Sequence, residues 1–170
     1  KIVCQADTPG WDPAVAQQAM EQCLTKNGDK VDAVLAMNDS TSDGIWAALK
    51  AQNLNGKVKI IGGHDGSLTA VQRVLAGDQV ATFHPDGVQL GDSVAKLLQT
   101  ALADKDAADA GVINGTFDNG YVKKGVPTVF GKENLISADN VQQEIVDHKI
   151  FTKEESGKGI AAGSDFCKAR

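Results

Sequence analysis

Val31-Asp32-Ala33-Val34-Leu35-Ala36-Met37-Asn38-Asp39 is the stretch that decides the fold. An apolar run over 31–37 ends on an amide and a carboxylate. A segment of helical period follows at 41–52, with Ile45, Trp46 and Leu49 on one face. A strand of this kind, apolar on both faces and followed at once by a helix, is the repeating unit of a parallel sheet. The unit recurs on either side of it. Upstream, 2–6 reads as a short strand and Asp7-Thr8-Pro9-Gly10 as a turn. Asp12 caps a helix with Pro13 in its first position, and Asn27-Gly28 closes that helix after about Lys26. Downstream come a strand at 58–62, a helix at 68–76 ended by Gly77, and a strand at 80–83. A long amphipathic helix follows at 88–102, with Leu90, Val94, Leu97, Leu98 and Ala101 at helical spacing. The order βαβαβαβα predicts an α/β fold, a parallel sheet with helices on both faces, over 1–110.

After Lys105 the pattern changes. Residues 104–109 form a charged, Ala-rich linker, 112–117 reads as a strand, Asn119-Gly120 as a turn and 126–130 as a further extended segment. Residues 134–148 include a helix, and 111–152 is read as crossover strands with a terminal helix. From Lys153 on, Gly, Ser, Lys and Glu dominate, so 153–170 is expected to be a loose tail.

The composition narrows the function. At 170 residues with 42% hydrophobic side chains, the chain can bury one core of ordinary size. A net charge of −5 and the absence of a basic cluster leave no field for nucleic acid. No apolar stretch approaches the ~20 residues of a membrane helix. The chain opens directly on strand-like Lys1-Ile2-Val3-Cys4, which predicts an upstream part removed by processing or cleavage, with a free-standing lobe as the alternative. The three cysteines, Cys4, Cys23 and Cys167, match no zinc or redox spacing. Cys4 and Cys23 lie on a strand and on the helix running back over it. They are either two separate buried thiols or a disulfide, which needs an oxidising compartment.

Ligands of an open parallel sheet bind just outside the carboxyl ends of the strands. Those ends carry Gly10-Trp11-Asp12, Asn38-Asp39, His64-Asp65-Gly66 and His84-Pro85-Asp86. A carboxylate accepts bonds from two neighbouring hydroxyls, an amide both donates and accepts, and an indole lies against the C–H face of a sugar ring. Trp11, Asn38, His64, Asp65 and His84 are therefore the candidate residues for a polyol ligand. Each also has a plainer reading. Trp11 plugs its loop against the helix, Asn38 and Asp39 form a turn and a helix cap, Asp65 makes an Asx turn, His64 shields a strand end, and His84 is a loop residue. For Asp39 the capping reading is preferred.

Catalysis finds little support. No Gly-x-Ser-x-Gly elbow accompanies Ser40 or Ser42, and adjacent His64 and Asp65 are not expected to pair as the acid and imidazole of a triad. No phosphate-binding Gly-rich loop follows the first strand. The acid pair of a phospho-receiver domain is missing. Neither a metal at His64, Asp65 and His84 nor any cofactor is expected.

Several stretches together resemble the second half of type I periplasmic sugar-binding proteins, the receptors of ABC importers, and within them the xylose-binding branch. They are Asp7-Thr8-Pro9-Gly10-Trp11-Asp12-Pro13, 31–39, Gly62-Gly63-His64-Asp65-Gly66, the run 70–79 leading to Thr82-Phe83-His84-Pro85, and later Asp118-Asn119-Gly120 and Val126-Pro127. The resemblance covers roughly 1–152. It implies one lobe of a type I periplasmic-binding-protein fold, in which two lobes close over a monosaccharide such as xylose or glucose. It implies a periplasmic or membrane-anchored extracytoplasmic location, no enzymatic activity, and importer membrane subunits as partners. By position, Trp11 corresponds to the stacking aromatic, Asn38 to the amide ligand and Asp65 to the carboxylate that takes two hydroxyls. His84 stands where relatives place Lys, Gln or Asn, and His64 where an aromatic is frequent. Two histidines predict binding that is sensitive to pH near the ordinary imidazole value of about 6.5. The alternative on the same core is the sugar-sensing part of a transcription regulator, which needs a helix-turn-helix segment upstream. The segment 114–131 is expected to cross toward a second lobe and to leave a strand edge unpaired. The expected partner is thus the missing N-terminal lobe or a second copy of the chain.

Overall fold

The computed structural model describes residues 1–28 and 30–168. They fall into two compact units, one built from Lys1–His84 with the chain from Asn134 onward, the other from Pro85–Glu133.

In the larger unit a short 3-10 turn at Pro9–Trp11 leads into α1 (Pro13–Asn27), followed by β1 (Ala33–Leu35), α2 (Asp39–Ala51), β2 (Lys59–Ile61), α3 (Leu68–Ala76) and β3 (Thr82–Pro85). β1 and β2 run parallel with Val34 opposite Ile60. Parallel bridges from Ile60 to Gln79 and from His64 to Phe83 extend the pairing to the chain entering and forming β3. The central sheet is thus parallel, as the alternating pattern predicts, with strands shorter than the apolar runs that encode them.

Side-chain alternation along these strands decides the core. Ala36 and Ile60 face α1 and α2 and are buried with Ala16, Met20 and Leu24 of α1 and Ile45, Ala48 and Leu49 of α2. Leu35, Met37 and Ile61 point to the opposite face and are exposed. The two helices approach closely because residue 44 has no side chain. A Cβ there would overlap the carbonyl oxygen of Pro13. Local chemistry sets the helix ends: the Asp12 carboxylate accepts the Ala14 amide 2.8 Å away, and Gly28 takes a positive φ of 58° to close α1.

Two expectations change. Residues 2–6 are not a strand: Ile2 is 81% exposed, and the segment is tied down by a Cys4–Cys23 disulfide at the far end of α1. A five-residue strand depends on a neighbour for its ladder, and here the covalent link takes that role. The chain from 153 is not loose either. After β6 (Glu133–Ile136) and a π-helical turn at Gln142–Asp147 come α5 (Lys153–Ser156), a 3-10 turn at Gly159–Ala161, and α6 (Asp165–Lys168). Val71 of α3 is buried with Ile136, Val141 and Ile145, and Leu75, Ile150, Phe151 and Phe166 pack against them. The Gln72 amide donates to the Glu155 carbonyl at 2.9 Å. A few apolar residues at the right intervals outweigh the polar composition from which the tail was read. The last two residues of that predicted tail, 169–170, lie outside the described residues.

In the smaller unit α4 (Gly87–Leu102) is capped by Asp86, and a hairpin pairs β4 (Gly115–Phe117) with β5 (Val126–Thr128), Thr116 facing Pro127. The Asn119 side chain accepts the Tyr121 and Val122 amides in its turn. Val88, Leu90, Val94, Leu98 and Leu102 leave an exposed apolar row on α4.

Replacing Gly44 by Ala forces α1 and α2 apart. Urea denaturation is expected to show a loss of about 1–3 kcal/mol or more, the range for overpacking a tight contact.

Candidate functional site

Three parallel segments end side by side, and their last residues carry four of the five candidates. Asn38 closes β1 and caps α2. Its Oδ1 accepts the Thr41 amide at 3.0 Å and the Thr41 hydroxyl at 2.8 Å. The plainer capping reading is therefore true of Asn38. With its oxygen engaged, the amide has only its NH2 end to offer a ligand.

His64 and Asp65 follow β2. The Asp65 amide donates to the Phe83 carbonyl at 2.9 Å, and the Phe83 amide donates to the Gly63 carbonyl at 3.1 Å. Nδ1 of His64 lies 2.9 Å from Oδ1 of Asp65. An ionised carboxylate only accepts, so Nδ1 carries the proton, and the exposed Asp65 side chain keeps acceptor capacity for hydroxyl donors. The expectation that these neighbours do not pair is thus corrected. Asp65 adopts a φ of 104°, and in that conformation its side chain meets the ring of the preceding residue. Of the nearby serines, the Ser42 hydroxyl donates to the Asn38 carbonyl, and the Ser67 hydroxyl accepts the Ala70 amide as the cap of α3.

His84 lies in β3, with Nδ1 3.2 Å from the Asp65 carbonyl oxygen. A carbonyl cannot donate, so Nδ1 bears the proton and Nε2 is an acceptor in the neutral ring. Gly66 allows this approach. It holds φ at 66°, and a Cβ on it would lie 2.7 Å from both Cβ and Nδ1 of His84.

Trp11 is on the turn before α1, 56% exposed, and joins none of these hydrogen bonds. At that exposure Trp11 is not buried within its loop. Its φ is 58°. Among the described residues, the non-glycine residues of positive φ are Trp11, Asn53, Asp65, Asp104 and Lys149. Asn53, Asp104 and Lys149 directly follow the capping residues of helical segments, where left-handed backbone is ordinary. Trp11 and Asp65 have no such excuse, and strain of this kind, about 1–3 kcal/mol each, concentrates at ligand sites.

Beneath the rim is a buried polar cluster that the sequence reading missed. Asp39, 1% exposed, accepts the Ser67 amide at 2.7 Å on Oδ2 and the Thr82 hydroxyl at 2.8 Å on Oδ1. Burial raises its pKa above the ordinary carboxylate value, while the bonds from Ser67 and Thr82 and the nearby Arg73 charge pull it back. Arg73 is itself buried, pairs with Asp43, and donates through Nε to Gln79 at 2.9 Å. Gln79 donates to the carbonyls of Gly62 and Ala81, each at 3.0 Å. Asp39 is therefore not the cap that was preferred for it. The available signal was an Arg and a Gln six residues apart across a helix end, both of types that are buried only when paired. Among the described residues no group of three or more His, Cys, Asp or Glu side chains could hold a metal ion.

Residues 1–106 match the family model of the periplasmic binding protein domain. The D-xylose-binding periplasmic protein of Escherichia coli is 37% identical over 156 residues, 91% of this chain and 45% of that protein. Its counterpart in Haemophilus influenzae is 33% identical over 155 residues, 91% and 44%. Among solved structures, an ABC transporter solute-binding protein from Clostridium phytofermentans with bound β-D-glucose superimposes with a TM-score of 0.71 at 26% identity, over 88% of this chain and 45% of that one. A carbohydrate transporter solute-binding protein from Chloroflexus aurantiacus in complex with D-glucose has the same TM-score and identity, over 85% and 42%. The chain spans less than half the length of these relatives.

Gly66→Ala is expected to push the His84 ring off the Asp65 carbonyl and to lower stability by about 1–3 kcal/mol. The His84 ring resonances in an NMR spectrum, read beside a denaturation curve, check both effects.

Proposed function

The chain belongs to the periplasmic binding protein domain family, and on that premise we propose that it forms the C-terminal lobe of an ABC importer's solute-binding protein for a monosaccharide. The observation that carries the reading is the convergence of Asn38, His64, Asp65 and His84 at one edge of a parallel sheet, three of them linked by hydrogen bonds. The names of the xylose-binding relatives and the glucose in the related structures point to the same ligand class.

The roles follow from donor and acceptor chemistry. Oδ2 of Asp65 accepts from ring hydroxyls, with His64 holding the other oxygen in place. The Asn38 NH2 donates to a hydroxyl oxygen. Nε2 of His84, which is an acceptor when the ring is uncharged, accepts a hydrogen bond from a hydroxyl. The exposed indole of Trp11 stacks on the C–H face of the ring. A second lobe closes over the sugar and removes the rim from water, which strengthens each polar contact. No bond is made or broken, and the sugar shifts the population toward the closed arrangement that the importer's membrane subunits recognise. The Cys4–Cys23 disulfide fits an extracytoplasmic, oxidising location.

Isothermal titration tests this with xylose, glucose, ribose, arabinose and galactose, using the chain alone and joined to its N-terminal lobe. Micromolar or tighter binding by the two-lobe protein is expected for at least one sugar, and no heat with any of them overturns the reading. Asp65→Ala is expected to weaken the two-lobe protein's binding about 10- to 100-fold, since it strands hydroxyl donors that were bound to a charged acceptor.

A further inference from the structure

The Asp39 carboxylate stands below the rim rather than on it, yet the residue is bonded to the segments that carry four of the five candidates, all but Trp11. Its own amide donates to the His64 carbonyl at 3.0 Å. Oδ2 accepts the Ser67 amide, two residues beyond Asp65, and Oδ1 accepts the hydroxyl of Thr82, two residues before His84. Asn38 is its chain neighbour. The loop it grips needs gripping, because Asp65 holds a φ of 104° that relaxed backbone of a non-glycine residue avoids. The fit is close: Gly63 has a φ of 132°, and a Cβ there would lie 2.6 Å from Oδ1 of Asp39.

We propose that Asp39 is the positioning residue of the site: by binding the His64–Ser67 loop and β3 at once, its side chain fixes the relative placement of Asn38, His64, Asp65 and His84 and thereby sets sugar affinity. The inference rests on the sugar-binding reading above and deepens it. Asp39 touches no ligand; its side chain acts through the Ser67 amide and Thr82, while its own amide, which every substitution keeps, holds the His64 carbonyl. Hydrogen-bonding shape matters more than charge in this role. An Asn at 39 retains an acceptor for the Ser67 amide, and its NH2 can donate to the Thr82 hydroxyl oxygen. An Ala leaves the buried Thr82 hydroxyl and the half-buried Ser67 amide without their acceptor.

The test uses the two-lobe protein and the sugar it binds best, with affinity measured by titration and corrected to the folded fraction. Asp39→Ala is expected to lose about tenfold or more in affinity, and Asp39→Asn to stay close to the parent. Leu24→Ala, which opens a cavity in the α1–α2 core away from the loop, serves as the stability control. It should lower the melting temperature and leave affinity unchanged. If Asp39→Ala does not fold, Thr82→Val removes one arm of the grip at constant volume and Thr82→Ser restores it. Affinity should fall with Val and return with Ser. Unchanged affinity in Asp39→Ala or Thr82→Val, or an equal loss in Leu24→Ala, overturns the proposal while sugar binding stands. A parent protein that binds no sugar overturns the sugar reading itself and the proposal with it.

Discussion

Asp39 accepts the Ser67 amide and the Thr82 hydroxyl through its side chain while its own amide binds the His64 carbonyl. A carboxylate so buried is costly unless its oxygens are met. The architecture meets them with the Ser67 amide and the Thr82 hydroxyl, from two separate elements, which fixes those elements against each other. Arg73 and Gln79 extend the same network to the carbonyls of Gly62 and Ala81, so both ends of the loop after β2 are held. A strained Asp65 and a tightly stacked Gly66–His84 pair persist because the surroundings over-determine them. The rim of polar side chains is the visible result of a polar core one layer down.

Much of this was legible in the residues. The spacing of apolar runs and helical segments from 31 to 85 specified a parallel sheet, because each strand was bounded by unambiguous turn and cap signals such as Asp12-Pro13 and Gly77. The rule that parallel sheets bind ligands at their carboxyl ends singles out Asn38, His64, Asp65 and His84 from the residues alone. Other features were not legible, for physical reasons. Whether 2–6 joins a sheet depends on a ladder partner, a long-range property that a five-residue pattern does not encode. The packing of Phe151 and Phe166 onto α3 is likewise long-range, so the polar composition of the tail misled. The pairing of His64 with Asp65 depends on a backbone angle that no residue type announces. Asp39 looked like a cap because Asp usually is one beside a helix start, whereas Asn38 had already taken that place.

The chain spans less than half the length of its relatives, which bears on its energetics. A sugar held only on one rim keeps its other side in water, where hydroxyls lose little by remaining hydrated. Affinity and discrimination come from desolvating the contacts, and that takes a second surface. Trp11 and Asp65 are both exposed, and under the proposed reading a second lobe is what would cover them.

The central claim is that sugar meets this protein at the edge that carries His64, Asp65 and His84, with the exposed Trp11 stacked on its ring, and the chain supplies its own controls. It has two tryptophans and three histidines. Trp46 donates its indole N–H to Asp78, and His148 lies beside Glu144 at the end of the π-helical turn. An NMR titration of the two-lobe protein, labelled only at tryptophan and histidine, follows all five rings at once. The account predicts that the best-bound sugar moves the side-chain signals of Trp11, His64 and His84 and leaves those of Trp46 and His148 in place. Shifts confined to Trp46 or His148, or saturable binding that moves none of the three rim residues, would contradict it.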